Sequence, residues 1–579
     1  MKLWMIGCSL FISSICNGAS QYCSPNQPCW PPQAQWDEFN KQVNGHLLRG
    51  QSPLSPCFKN SKSPSCQMVL HELKNPYFIE SQAGATQSNG WVGGWQTAVS
   101  SYVVAVESAQ EIAAAINFAR THRIKLVVKG TGHDYLGRSN APNSLLIWTH
   151  PLREVTIQDH FIPQGCPATQ TPTTAVTVAA GSRWIEVYKE VTTHKGRYVQ
   201  GGGCATVGAA GGFIQGGGFG SFSKKFGTGA AGVLEAEIIT ADGVIRTANA
   251  CQNQDLFWAL KGGGGGAYGI VSKITLQTHD LPNLFGKVKG TITAKSDAAY
   301  FQLIHHFIEF YRLKLHNEHW GEQVALTPDN KMNFSLVFSG LSKAEVDKLW
   351  QPFLNWLAKK PEQYQFSLQS ATRPPRHYWD FDYLLANAPE AIVVNKGKNA
   401  PPHEYWWASN QSEVSMYINY YLSMYLPFTL FTEENATALT KTLFDASRFV
   451  ELTLHFNKGL SGAPKDALAH QKNTSMHPEV LNAAALVIIA GGQQNTYANV
   501  AGHEPDLNKA NAAIKQAHKA MKRLQTLSPN LSTYPNEADY FIKNWQSALW
   551  GSNYPKLLQI KHKYDPQNLF TCHHCVGSE

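Results

Sequence analysis

Residues 129–139 read KGTGHDYLGRS. One histidine, His133, sits in a loop with three glycines, directly after the largely apolar run 124–128. Glycine in that position marks a backbone that turns sharply or lets something approach closely, and His133 then points at whatever is approached. Downstream, residues 201–220 read GGGCATVGAAGGFIQGGGFG, and 262–266 are five consecutive glycines. Flexible linkers are also glycine-rich, but these runs lie between strand-like segments and carry Phe213, Phe219 and Tyr268, which linkers lack. Neither run is a spaced G-x-G-x-x-G in a strand–turn–helix context, and no G-x-x-x-x-G-K-[ST] occurs. Backbone N–H groups along glycine loops still cradle a pyrophosphate, because no Cβ blocks the approach. The reading is a nucleotide cofactor held by loops.

Around these loops, strands and helices alternate. Residues 102–106 are β-branched and strand-like. Ser108 and Glu111 form a capping box for a helix with Ile112, Ile116, Phe118 and Ala119 on one side. Strands are predicted at 124–128, 144–148, 174–180 and 269–277, and helices at 183–194 and 255–260. Residues 233–248 form a hairpin pattern with Asp242-Gly243 in the turn. This alternation indicates α+β or α/β architecture. Leu281-Pro282 marks a boundary. Beyond it, longer helices at 297–313, 344–357 and 506–527 alternate with aromatic strands such as 414–421. Residues 21–95 are rich in Pro, Ser, Asn and Cys and read as an irregular, cross-linked region.

The chain has 579 residues, too many for one core. At 43% hydrophobic and 16% charged it is globular. The net charge of +8 is thinly spread, with no run of five Lys/Arg, so a nucleic-acid partner is not expected. Sixteen tryptophans and 22 tyrosines suit ring or sugar binding, or equally a large core. Residues 1–20 read as an export signal: Lys2, an apolar stretch at 3–15, then small residues at Asn17, Gly18, Ala19 and Ser20. No later apolar run is of spanning length, so a secreted protein without a membrane anchor is predicted. Cleavage removes Cys8 and Cys16 and leaves nine cysteines, an odd number, so one thiol is left over. Cys23/Cys29 and Cys57/Cys66 bracket short loops, and at least one disulfide is expected among these four. Cys572-His573-His574-Cys575 is too tightly spaced for a structural zinc site, which uses separated pairs; a disulfide and no metal is expected. Sequons at Asn333, Asn410, Asn435, Asn473 and Asn530 are glycan sites if the host glycosylates.

KGTGHDYLGRS, GGGCATVGAAGGFIQGGGFGSFSKKFG (201–227), DLFWALKGGGGGAYGIVSKI (255–274) and a tail running from YPNEADY (534–540) to WGSNYPKLLQIKHKYDPQNLF (550–570) occur in that order. Together they resemble the berberine-bridge-enzyme-like branch of the vanillyl-alcohol oxidase flavoproteins, in appearance its secreted fungal-type FAD-linked oxidoreductases. The resemblance covers about 102–274 and the tail from 534. It implies an α+β, two-lobed protein. A PCMH-type FAD-binding domain spans 96–281, following the signal (1–20) and the N-terminal region (21–95). A substrate domain at 282–527 presents to the flavin an antiparallel sheet backed by helices, and 528–579 returns to the FAD domain. It also implies FAD bonded twice, through His133 to the 8α methyl and through Cys204 to C6. The motif here is Cys204-Ala205-Thr206-Val207-Gly208, with Ala205 where the family usually has proline. Cys204 then accounts for the odd thiol; the alternative is a disulfide partner, and for His133 a noncovalent contact. Cofactor contacts are expected from Lys129, Gly130, Thr131, Gly132, Ser139, Thr206, Val207, Gly208, Gly212, Gly216, Gly269, Val271 and Asn536.

The implied chemistry is hydride transfer from a substrate carbon to flavin N5, a base taking the hydroxyl proton, and electrons passing to O2 to give H2O2. A monomeric oxidase acting on a small alcohol or a sugar is the leading expectation. The alternatives are a flavin dehydrogenase or oxidative cyclase with little O2 reactivity, and an extracellular binding protein that keeps the scaffold without turnover. No base is legible between 282 and 527. The candidates are Tyr378, Tyr383, Glu413, Tyr417, Tyr420, His503 and Tyr534. Tyr534, His503 and Tyr417 are carried forward as catalytic candidates, with Tyr534 and Asn536 on the flavin side.

Overall fold

The structure, a computed structural model, describes residues 22–528 and 530–578. The export-signal reading of 1–20 therefore lies outside the described residues. The first lobe contains two sheets. In one, Tyr102–Ala105 and Lys125–Lys129 flank Ser144–Trp148 in parallel, and Leu47–Arg49 adds antiparallel at the outer edge. Helix Ala109–His122 covers it, setting Ile112, Ile116 and Ala119 against Val104, Leu145 and Ile147. Half of the predicted capping box is present: Ser108 Oγ accepts from Glu111 N at 3.2 Å. The Glu111 carboxylate instead takes the N–H of Glu107 and the side chains of Asn44 and His46. The second sheet is antiparallel, in the order Ile245–Asn249, Val233–Ile239, Ile270–Asp280, Thr173–Ala179, Val155–Phe161. The helix expected at 183–194 is α only over Trp184–Tyr188 and widens to a π turn over Lys189–His194.

The second lobe is built on an eight-stranded sheet in the order Tyr364–Arg373, Phe285–Ala294, Lys331–Ser339, Trp320–Leu326, Leu452–His455, Ala483–Gln494, Met416–Pro427, Ser88–Trp91. Every pairing is antiparallel except the last. Helices Asp297–Phe310, Lys343–Ala358, Glu433–Ser447 and Leu507–Leu524 bury one face in a single apolar cluster with Val288, Ile292, Phe334, Leu336, Leu422 and Val487. The other face looks onto the first lobe.

The N-terminal region is not a unit of its own. Leu47–Arg49 joins the first lobe, Ser88–Trp91 extends the sheet of the second, and Asn89 Nδ2 donates to Ser415 O at 3.0 Å. The tail packs on the first lobe, where Ile542, Trp545, Leu549, Trp550, Leu557 and Ile560 share a core with Val176, Ile238, Leu256 and Tyr268. Disulfides join Cys23–Cys29, Cys57–Cys66, Cys166–Cys251 and Cys572–Cys575; Cys204 is free. Among the described residues, no helix is long and apolar enough to cross a membrane.

Candidate active site

A cavity of about 1090 Å³ lies between the lobes, and the glycine loops form one wall of it. The loop from Gly130 leaves the end of strand Lys125–Lys129 and turns at Gly132, whose φ of +82° belongs to the left-handed region. Thr131 Oγ1 accepts from Gly208 N at 3.0 Å, and His133 Nε2 lies 2.8 Å from Thr206 Oγ1. Two loops whose bonded residues are 73 and 77 apart in sequence are thereby stitched together, with His133 and Cys204 on the same cavity. The Cys204 loop is held from behind, since Trp184 N donates to Val207 O and Ile185 N to Ala205 O. Gly201 makes this possible: a Cβ there would stand 2.3 Å from the Trp184 ring.

The His133 ring is open to the cavity but lies deep inside the molecule, and burial pushes its pKa down to about 4, leaving a neutral imidazole at neutral pH. Burial, reinforced by Glu413, pushes the Cys204 thiol up. The wall fits a flavin nucleotide. Around Gly203, Gly211 and Gly212 the space a Cβ would fill is open. The N–H groups of Gly130, Thr131, Gly132 and His133 donate to no other protein group among the described residues. Both amide atoms of Asn140 are buried without a partner. Such unpartnered donors are costly unless a polar ligand takes them.

Gly130, Thr131, Gly132, His133, Ser139, Cys204, Thr206, Val207, Gly208, Gly212, Gly269, Val271, Tyr534 and Asn536 all border the cavity. Lys129 borders it too, but its ammonium is engaged by the carbonyls of Gln82, Ala83 and Ala85. Burial lowers its pKa to about 7, yet three acceptors on one nitrogen require all three protons, so this group braces the wall as a cation. Gly216 lies behind the wall, where the Asn536 amide packs on it. Asn536 Nδ2 donates to Gly212 O and to Tyr534 Oη, and Tyr534 Oη also accepts from Gly218 N. The Tyr534 hydroxyl is thus engaged in holding the glycine loop.

The opposite wall carries ionisable groups. Tyr135 Oη donates to Glu413 Oε2 at 3.1 Å and its ring stacks on Tyr421. Lys458 Nζ lies 2.6 Å from each carboxylate oxygen of Glu537. Ser221 Oγ bonds Glu322, a strand residue held at φ +65°, outside the region side chains prefer. Burial raises the carboxyls of Glu413 and Glu322 above the ordinary range and drives His455 well below its own. Tyr378 borders the cavity as well.

Two catalytic candidates lie elsewhere. Tyr417 packs on Gly90, Val92 and Ala510, because a bulge between Ile418 and Tyr420 reverses the strand's phase and turns Tyr421 to the cavity instead. His503 sits in a surface loop, its carbonyl accepting from Tyr497 N. Tyr420 is in the helix-covered core, and Tyr383 stacks on His377 away from the cavity. Sequence reasoning missed Tyr135, Glu322, Tyr421, His455, Lys458 and Glu537. Tyr135 and Glu537 lie inside recognised motifs, two residues after His133 and three after Tyr534; the others carry no local signal.

A FAD binding domain model matches residues 100–249, and a berberine and berberine-like model matches 533–577. The FAD-linked oxidoreductase easE of Trichophyton verrucosum is 30% identical over 612 residues, covering 100% of this chain and 94% of the relative. The crystal structure of the VAO-type flavoprotein MtVAO615 from Myceliophthora thermophila superposes with a TM-score of 0.78 at 25% identity, covering 97% of this chain and 98% of that one. Glucooligosaccharide oxidase from Acremonium strictum, described with a 6-S-cysteinyl, 8α-N1-histidyl FAD, shares the fold at TM-score 0.62 and 19% identity, covering 91% of this chain and 99% of that one. With both glycine loops and the tail gathered on one nucleotide-sized cavity and a relative matched over nearly its whole length, the chain belongs to the berberine-bridge-enzyme-like FAD-linked oxidoreductases of the vanillyl-alcohol oxidase type.

Proposed function

We propose that the protein is a secreted oxidase that carries FAD on two covalent bonds, from His133 and Cys204, and oxidises an alcohol or a carbohydrate hydroxyl carbon with O2 as acceptor. The observation that carries this reading is the Tyr135–Glu413 hydrogen bond, which opens on the same cavity as the stitched His133 and Cys204 loops. The doubly linked flavin of glucooligosaccharide oxidase supports the two tethers. The four disulfides support an oxidising compartment.

A flavin held by these loops would supply a hydride acceptor and a path for electrons to O2. The chain's own task is the proton. Tyr135 Oη accepts the substrate hydroxyl proton while releasing its own to the Glu413 carboxylate 3.1 Å away. The phenol stays neutral throughout, and Glu413 ends protonated, a state its burial favours. Lys458 and Glu537 form a neutral pair on the same wall, so neither competes for that proton. Tyr534 and Asn536 hold the glycine wall in place.

The test is anaerobic mixing of the purified yellow protein with a panel of primary alcohols, phenols and oligosaccharides, followed by air. Bleaching of the flavin band and then stoichiometric peroxide is expected. Bleaching without peroxide assigns a dehydrogenase, and no bleaching by any compound refutes turnover.

A further inference from the structure

The cavity face of the eight-stranded sheet carries a polar row. Lys289 opposes Ser335, Ser335 opposes Gln323, and Gln323 opposes His455. Directly opposed residues share a face, and all four border the cavity. Three inter-strand spacings make the row ~14 Å long. On the reverse face the same strands bury Val288, Phe334, Leu336 and Val324. The row's inner end, His455, lies in the field of Lys458, on the wall that holds Glu413.

The outer end is cationic. Lys287 and Lys289 project to one face of strand Phe285–Ala294, and Arg373 stands on the neighbouring strand, two residues from Ala371, which opposes Lys287. The Arg373 guanidinium carbon lies 5.7 Å from each of the Tyr378 and Tyr383 rings, so two aromatic faces flank it. No ion pair engages any of the three among the described residues, whereas Lys458 and Arg138 on the same cavity are each paired to a carboxylate. Burial together with Arg373 and Lys289 holds the Lys287 ammonium below its usual range, and Glu390 is the acidic group that opposes this. Three unneutralised cations at one end of a cleft repel one another, and an anion between them relieves that repulsion. A flanked guanidinium presents a planar donor fork that matches a carboxylate.

We infer that this end is a carboxylate subsite and that the substrate is an elongated acidic sugar. Its carboxylate docks on Lys287, Lys289 and Arg373, its hydroxyls lie along the row from Lys289 to His455, and its far end reaches Tyr135. This assignment rests on the oxidase reading of the same cavity but is separable from it. The experiment uses the flavin-loaded protein with trigalacturonate and maltotriose as matched acidic and neutral probes. Binding is read from the fluorescence of Trp379, Trp406 and Trp407, which border the cavity, and turnover from anaerobic bleaching. Trigalacturonate should bind at least tenfold more tightly than maltotriose at low salt, with the advantage shrinking as salt rises. Lys287→Gln and Arg373→Gln should each cut that advantage at least threefold, and the double variant should abolish it with flavin content unchanged. Equal binding of the two probes, a preference that survives in the double variant, or tighter binding of maltotriose phosphate than of trigalacturonate overturns the carboxylate subsite. Tight binding of trigalacturonate without bleaching leaves the carboxylate subsite standing but overturns the acidic sugar as substrate; only if no compound of the panel bleaches the flavin does the oxidase reading fall.

Discussion

Replacing Glu413 by glutamine isolates the proton step. The amide has the carboxylate's shape, and its oxygen still accepts from Tyr135 Oη across the 3.1 Å gap, so ring position and the Tyr421 stack are retained. Only the capacity to take a proton is removed. Tyr135 then has no group to pass its proton to and must ionise inside a site whose burial raises phenol pKa values. A positioned general base is worth about 10²–10⁴-fold, or about 3–5 kcal/mol, and the Glu413→Gln variant should lose that much in the rate of anaerobic flavin reduction. Tyr135→Phe should lose a similar amount, and the double variant no more than either single one, because the two act as a unit. The pH profile is the sharper readout. Glu413 must be ionised to accept, and its pKa is raised, so wild-type reduction should be fast above that raised value and fall as pH drops through it. That acid limb should vanish in Glu413→Gln and persist in Glu322→Gln. A loss below about threefold, or an acid limb that survives the substitution, refutes the relay.

Acid precipitation should leave the flavin on the protein in the wild type and in His133→Ala and Cys204→Ala singly, and release it in the double variant; release from the wild type refutes both tethers. Gly201→Ala places a Cβ 2.3 Å from the Trp184 ring behind the Cys204 loop, an overpacking cost of about 1–3 kcal/mol, read as a lower melting temperature and reduced flavin loading. Glu80→Ala strips one of three carboxylate partners from the buried Arg183, at 3.0 Å, and one of two from Arg153, at 3.2 Å, and should destabilise by about 1–3 kcal/mol, since Glu186 and Glu404 still face the guanidinium while one of its donors is left unpaired; equilibrium denaturation checks it.

The first lobe is the more legible half because its function is written into backbone. Glycines at 130, 132, 201, 211 and 212 serve by what they lack, and a gap in side chains is visible in sequence. The opposite wall is written into side chains whose meaning depends on strand phase. Tyr417 and Tyr421 are four apart and would share a face of a regular strand; the bulge before Tyr420 separates them, and no local residue announces it. Glu322 sits in a strand whose neighbours Trp320 and Val324 are core, and its positive φ is invisible before folding. His455 and Lys458 acquire their place from strand order across the sheet, which is non-local. The capping box at Ser108 was half legible: the hydroxyl's partner is local, while Glu111 answers to Asn44 and His46, more than 60 residues earlier in the chain.

The parallel strand Ser88–Trp91 has a consequence for biogenesis. Asn89 and its partner Ser415 are 326 residues apart, so at typical translation speeds the early strand leaves the ribosome roughly 15–65 s before its mate exists. Through that interval a short segment ending in Trp91 carries an unpaired edge, the kind of surface that holdase chaperones cover and that self-association exploits. Its brevity, at four residues, limits the hazard. A strand made early is thus paired late, and the active-site cleft closes only after most of the polypeptide has been synthesised.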